Sequence, residues 1–274
     1  MNTLPVMNVL APVIAVCGML MPVPTAARAD GVRPLEQAHA HNDYYHDRPL
    51  LDAVENGFCS IEADVFLDEG QLVVAHSRSE IDREKTLEKL YLIPLQALAV
   101  KNGGRIYANG PTITLLVDIK TEGESTYKAL DQLFRKYADL LTSFNGEEVD
   151  QKAVTIVISG NRPEALMKSQ SRRFAAVDGR LSDLEANKAN SLMPVISDRW
   201  GAHFRWRGDG PMSNEEHAKL NELVRQAHSQ GKKIRFWAIP DNQAGWQVMA
   251  DAGVDFINTD NLTDLRVFLD DRKE

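Results

Sequence analysis

The sequence predicts an α/β chain folded as one (β/α)8 TIM barrel behind an N-terminal signal peptide. Three observations carry that expectation. Eight short apolar runs alternate with stretches whose apolar residues recur at helical spacing. Gly57, Gly231 and Gly253 fall just after three of those stretches and before the next run, where helix C-caps belong. No Gly-, Ser- or Pro-rich linker divides the chain, and its length suits a single barrel domain.

Residues 1–29 read as an export signal. The apolar run from Val9 to Met21 is short and interrupted by Pro12, a poor membrane span, and it leads to Ala27-Arg28-Ala29, a small-x-small cleavage pattern. The barrel domain then occupies residues 30–274, periplasmic or secreted, with no stable membrane anchor after cleavage. An uncut anchor is the alternative. Loss of Arg28 moves the formal charge from −8 to −9. An acidic chain without a basic patch argues against nucleic acid as a partner. Cys17 leaves with the signal, so Cys59 has no internal disulfide partner and reads as a small core residue. Oligomeric state is not legible.

Taken in order, the strand-like runs are 36–41, 60–66, 112–120, 154–159, 173–177, 193–197, 234–239 and 256–259. A hairpin-like return, 71–76, follows the second. Helical spacing marks 50–56, 126–141, 214–229, 243–251 and 262–269. An open doubly wound sheet is the competing architecture. It lacks support because no Gly-rich phosphate loop follows the first run.

The chemistry gathers at the C-terminal ends of the first three runs, where a barrel of this kind places its active site. His41-Asn42 ends the first, Glu62-Ala63-Asp64 lies in the second, His76 ends the return, and Asp118-Ile119-Lys120 closes the third. Residues at i and i+2 of a strand share a face, so Glu62 and Asp64 form a paired-acid edge that repels itself unless a cation intervenes. Glu62, Asp64 and Asp118 offer oxygen ligands suited to one divalent cation, Mg²⁺ or Ca²⁺, better than to Zn²⁺. Two histidines able to exchange protons at neutral pH complete a set fitted to metal-assisted cleavage of a phosphate ester.

These segments resemble the phospholipase-C-like phosphodiesterase superfamily, which includes glycerophosphodiester phosphodiesterases, phosphoinositide-specific phospholipases C and sphingomyelinase D toxins. The matching stretches run from Ala38 to Tyr44, Gly57 to Val65, Leu72 to His76, Leu115 to Lys120, Phe236 to Ile239 and Gly253 to Asp260. The chain is most similar to a bacterial and fungal branch with a His-Asn-Asp-Tyr first-strand motif. The resemblance implies His41 and His76 as the catalytic pair, with His41 as base and His76 as acid in the first step. It implies Glu62, Asp64 and Asp118 as metal ligands with Asn42 beside them, Lys120 as a phosphate contact and Trp237 as an aromatic near the substrate. The implied activity is hydrolysis of a glycerophosphodiester or (lyso)phospholipid-type substrate, either through a cyclic phosphate or directly by water. Two departures place glycerophosphodiesters in doubt: His-Asn-Asp stands where that branch has His-Arg-Gly, and the third acid is Asp rather than Glu.

Rival readings remain at this level. His39-Ala40-His41 is also the His-x-His pair with which amidohydrolases hold zinc. An inactive barrel that only binds a phosphorylated ligand would keep the acids but would not need both histidines. Some residues have plainer readings. His39 reads as a hydrogen-bonded barrel residue, Lys120 as an ion-pair partner of the acids, and Asn42 as a turn cap. Arg199, Trp200 and His203 follow the sixth run within reach of the pocket, and 200–207 is a candidate lipid or head-group contact. His46, His217 and His228 read as surface.

Overall fold

The computed structural model describes residues 31–272, so the expected signal peptide lies outside the described residues. The strands are β1 (Leu35–Ala40), β2 (Phe58–Asp68), β3 (Gln71–Val74), β4 (Ile113–Ile119), β5 (Ser143–Asn145), β6 (Glu148–Asp150), β7 (Val154–Gly160), β8 (Arg172–Arg173), β9 (Ala175–Gly179), β10 (Val195–Arg199), β11 (Lys233–Trp237) and β12 (Phe256–Thr259). The helices are α1 (Leu51–Glu55), α2 (Ile93–Lys101), α3 (Gly123–Arg135), α4 (Glu164–Ser169), α5 (Trp200–His203), α6 (Asn214–Ser229), α7 (Gln243–Ala252) and α8 (Leu262–Asp271).

Parallel pairing runs β1-β2-β4-β7-β9-β10-β11-β12 and returns to β1, closing the eight-stranded barrel. On β4, Ile113, Leu115, Val117 and Ile119 are buried on the outer side. Thr114, Leu116 and Asp118 alternate with them and face the barrel interior, as strand geometry requires. Most of the apolar core lies in that outer layer, between strands and helices. Inside the barrel, Val157, Val195 and Phe256 form a separate apolar plug. Above it the interior is polar: His39, Ser60, Glu62, Asp178, Ser197, Arg235 and Asn258 are all buried.

Helix boundaries follow their caps. Ser213 caps α6 by accepting from Glu216 N at 3.2 Å, and α6 buries Leu220, Val224 and Ala227 against the barrel. The helix expected over 126–141 instead starts at Gly123, because the Glu122 carboxylate accepts from the backbone N–H groups of Glu124 and Ser125. It ends at Arg135, and a turn leads into the β5–β6 hairpin. The fifth barrel strand is β9, two residues later than expected; Arg172–Arg173 belongs instead to the small antiparallel sheet with β5. That shift matters to the site.

The segment after β10 also differs from expectation. Trp200 is fully buried, stacked on Phe204 at 4.0 Å and edge-on to Phe236, with its indole N–H donating to Trp206 O at 2.9 Å. Trp206 is likewise buried, its N–H on Gly210 O. These rings are a packing cluster rather than a lipid contact, because both faces and both donors are already used by the protein. Among the described residues, no helix is long and apolar enough to cross a membrane.

Candidate active site

The site begins where β1 ends. His41 N still ladders to Thr259 O at 3.0 Å, but Asn42 adopts a left-handed φ of 47° and turns the chain into a 3₁₀ turn over Asp43–Tyr45. Asp43 pins this turn from beneath, accepting from Leu50 N at 2.6 Å and Tyr91 Oη at 2.9 Å. Burial pushes its carboxyl up to about 7 against those two hydrogen bonds. The turn folds Tyr44 back over the barrel mouth. Its hydroxyl reaches Asp64 Oδ2 and Asn42 Oδ1, each at 2.7 Å, and His76 Nδ1 at 3.1 Å.

Register brings the acids together. Asp64 on β2 pairs directly with Asp118 on β4, so both carboxylates stand side by side on the inner face, with Glu62 one inward position below Asp64. Glu62, Asp64 and Asp118 each place an oxygen within 4.8 Å of the others. Burial and then the Glu62 charge raise the Asp64 carboxyl; burial above all lifts Asp118 to about 6. Asp64 Oδ2 is taken by Tyr44 and by Lys120 Nζ at 2.9 Å, while Oδ1 is buried with no hydrogen-bond partner among the described residues. Gly160, at φ +65°, leaves open the space beside Asp118 Oδ1 that a Cβ would enter. Converging carboxylates, an orphaned buried oxygen and a cleared approach fit a hard divalent cation held by these three residues. Asn42 stands beside them with its oxygen accepting from Tyr44.

The other lining groups are each held by a partner. His41 Nδ1 meets Asp260 Oδ1 at 2.8 Å; burial opposes its protonation, yet the Asp260 hydrogen bond and the Glu62 charge carry its pKa above the ordinary histidine value. His76, half exposed at the end of the β2–β3 ribbon, has Nδ1 3.1 Å from Asp64 Oδ2. Lys120 bridges Asp64 and Asp118, at 2.9 and 3.3 Å. Arg235 donates to Glu62 Oε2 at 2.7 Å and Asn258 Oδ1 at 2.8 Å. Although burial works against its charge, the Arg235 guanidinium holds Glu62 well below the usual carboxylate range. Arg180 pairs with Asp178 Oδ2 at 2.9 Å and lies over the Trp237 ring, 5.1 Å from its centroid. Together His41, Asn42, Glu62, His76, Asp118, Lys120, Arg180, Arg235, Ser159 and Trp237 line a cavity of about 210 Å³ at the C-terminal end of the barrel.

The structure thus gathers every residue singled out from sequence as catalytic, metal-binding or substrate-binding. It sets others apart. His39 is fully buried, with Nδ1 on Ser60 Oγ at 2.7 Å and Nε2 on Glu62 Oε2 at 3.0 Å; both nitrogens are occupied, so His39-x-His41 is not a zinc pair. Burial, reinforced by Arg235, pushes it down to about 3, and it is a neutral strut under Glu62. His203 pairs with Asp198 at 3.1 Å, and His46 faces a different surface cleft. Sequence reading missed Tyr44, Arg180, Arg235 and the hold of Asp260 on His41. Only Tyr44 and Asp260 had a sequence signal, at the ends of the first and last strands.

Parts of this sequence and this fold recur in known proteins. The model of the AIM6-like phosphodiesterase domain matches residues 28–178, and that of the glycerophosphoryl diester phosphodiesterase family matches residues 233–263. Altered inheritance of mitochondria protein 6 of Eremothecium gossypii is 31% identical over 268 residues, covering 83% of this chain and 68% of that protein. The homolog from Arthroderma benhamiae is 28% identical, covering 85% and 83%. Among solved structures, a glycerophosphodiester phosphodiesterase from Parabacteroides distasonis superposes with a TM-score of 0.56 at 14% identity, over 88% of this chain and all of that one. A calcium-dependent phosphoinositol-specific phospholipase C from Pseudomonas sp. gives 0.53 at 12% identity, over 88% and 93%.

Proposed function

The chain belongs to the AIM6-like phosphodiesterase family, and from that premise we propose that it is a metal-dependent phosphoric diester hydrolase working by two-histidine acid–base catalysis. The observation that carries this reading is the convergence of Glu62, Asp64 and Asp118 on one point, with Asp64 Oδ1 left unpartnered beside two histidines. A bound Mg²⁺ or Ca²⁺ supplies Lewis-acid stabilisation of charge developing on the phosphoryl oxygens.

The histidines divide the proton work. Asp260 fixes Nδ1–H of His41, which leaves Nε2 as the acceptor toward the cavity, and we assign it the proton of the attacking hydroxyl or water. The Tyr44 hydroxyl has one proton, directed at Asp64 or Asn42, so its oxygen accepts from His76. His76 therefore carries its proton on Nδ1 when neutral, and protonation at Nε2 makes it the acid that delivers a proton to the leaving oxygen. A neighbouring hydroxyl as attacker gives a cyclic phosphate; water gives the hydrolysed product. A cavity of about 210 Å³ takes a phosphate and a small polar group and leaves any acyl chain outside. A glycerophosphodiester or lysophospholipid-type substrate met outside the cytoplasm, after export through residues 1–29, completes the proposal.

The test is phosphorus NMR of the purified protein with a mixture of glycerophosphodiesters, lysophospholipids and sphingomyelin, plus Mg²⁺ or Ca²⁺. A chelator and Asp64→Asn serve as controls. New phosphorus signals absent from both controls are the expected result, and the component consumed names the substrate. No turnover together with no binding of either cation rejects the proposal.

A further inference from the structure

The cavity holds three cations, and they differ in how much donor capacity the protein has already used. Lys120 has its ammonium between two carboxylates, and Arg235 is buried with Nε on Asn258 and Nη2 on Glu62. Arg180 is different. Its Nη1 accepts the whole structural load, donating to Asp178 Oδ2 at 2.9 Å, Gly179 O at 2.9 Å and, more weakly, Asp178 O at 3.3 Å. Nη2 meets only the Ser159 hydroxyl, at 3.4 Å, and among the described residues no hydrogen bond engages Nε. A guanidinium whose Nε–Nη2 edge stays available presents two parallel N–H donors, the fork that matches two oxygens of one phosphate.

That edge is also rigid. The Asp178 carboxylate that anchors Arg180 is fully buried and is itself fixed by Ser159 Oγ at 2.7 Å and Ser197 Oγ at 2.6 Å. The face of the guanidinium rests on Trp237. Arg162 lies near enough that burial and the Arg180 charge hold it below the ordinary arginine range. Arg180 thus enters the cavity already ordered, with Nε unused among the described residues and Nη2 engaged only by the long contact to Ser159.

We propose that Arg180 is the phosphate-binding arginine of this site, presenting its Nε–Nη2 edge to the phosphodiester oxygens, and that Trp237 acts chiefly as the platform that holds it there. This inference rests on the phosphodiesterase reading above. The guanidinium comes from the residue that follows the fifth barrel strand, β9, across the mouth from the acids of β2 and β4.

The experiment measures inorganic phosphate binding to the full-length protein by calorimetry, with and without Mg²⁺, beside diester turnover. Arg180→Met should weaken phosphate binding and raise KM by about tenfold to a hundredfold, the loss of one charge-assisted bidentate contact. Arg180→Lys, which keeps the charge and the partner of Asp178 but not the fork, should recover only part of it. Trp237→Leu should weaken phosphate binding in the same direction but less. Because Arg180→Met strands a buried carboxylate, the Asp178→Asn/Arg180→Met pair, which removes the ion pair as a unit, is measured alongside and should show the same loss. Phosphate binding within twofold of wild type in a folded Arg180→Met or double variant overturns the inference. Absence of turnover in the wild type with phosphate binding still lost in the variants would count against the hydrolase reading and leave the assignment of Arg180 standing.

Discussion

Replacing Arg235 by Leu tests the polar column beneath the acids. The guanidinium and the Glu62 carboxylate are only 3% and 6% exposed and meet at 2.7 Å. Without Arg235, Glu62 keeps a single hydrogen-bond partner among the described residues, His39 Nε2 at 3.0 Å, and that ring is neutral. Removing one member of a buried ion pair costs about 3–5 kcal/mol, because the remaining charge stays desolvated. For a domain of this size that corresponds to a fall of roughly 10 °C in the unfolding midpoint. The loss depends on pH in a defined direction. His39 is pushed down to about 3 by burial and then by the Arg235 charge; deleting that charge leaves burial opposed by the neighbouring Glu62 carboxylate, and the ring is expected to take up a proton. The folded variant then holds a proton that the unfolded chain releases above about pH 6.5, so its stability falls as pH rises through that value. Urea unfolding of wild type and variant at pH 6 and pH 8 should show a larger deficit at pH 8. A deficit under about 1 kcal/mol, or one equal at both pH values, refutes the reasoning. Glu62→Gln/Arg235→Leu should recover most of the loss, since no charge is left stranded.

Other substitutions probe separate parts of the site and fold. Tyr44→Phe removes the hydroxyl on Asp64 Oδ2, Asn42 and His76 while keeping the ring; calorimetric titration with Mg²⁺ or Ca²⁺ should show affinity lowered by about tenfold or more, and less than a twofold change discounts Tyr44 as an orienting group. Glu122 caps α3, and its hydrogen bonds to Ser125 and Glu124 hold its carboxyl down at about 2. The stabilising contribution of that cap is complete above the ordinary carboxylate range and is lost as pH falls through about 2, so the midpoints of wild type and Glu122→Ala should differ at pH 6 and converge near pH 2. Burial pushes the Cys59 thiol up to about 12. Native protein should therefore resist alkylation at pH 8 and react only on unfolding, as followed by mass spectrometry.

The barrel and its acids were readable because each rests on local pattern. Strand alternation places Glu62 with Asp64, and uniformly apolar Ile113, Leu115, Val117 and Ile119 mark β4 as covered by helices. Helix α2 was missed for a physical reason: Ile93, Leu95, Leu98 and Val100 spread around its circumference, so no single apolar stripe announces it. Arg180 and Asp178 were missed because the fifth strand was placed two residues early, which left both in a loop; in the structure Asp178 lies in β9 facing inward and Arg180 lands at the cavity rim. Arg235 and Glu62 are 173 positions apart, and nothing local to either announces the other. Pairings of that kind exist only once the barrel closes.

Strand β2 continues past the barrel wall. Its last residues, Val65–Asp68, pair antiparallel with β3, which brings the chain back to the wall, where Ala75 N bonds Asp64 O at 3.2 Å and sets His76 beside Asp64. The two histidines therefore have different parents: His41 ends β1 and is held by Asp260, whereas His76 follows the return strand and is held by Asp64 and Tyr44. The tip of the ribbon, Glu69–Gly70, lies at the far end from His76, so a longer or shorter tip leaves the span between the two histidines unchanged. Within this architecture, the outer hairpin is free to vary while the proton donor and acceptor stay fixed to the wall.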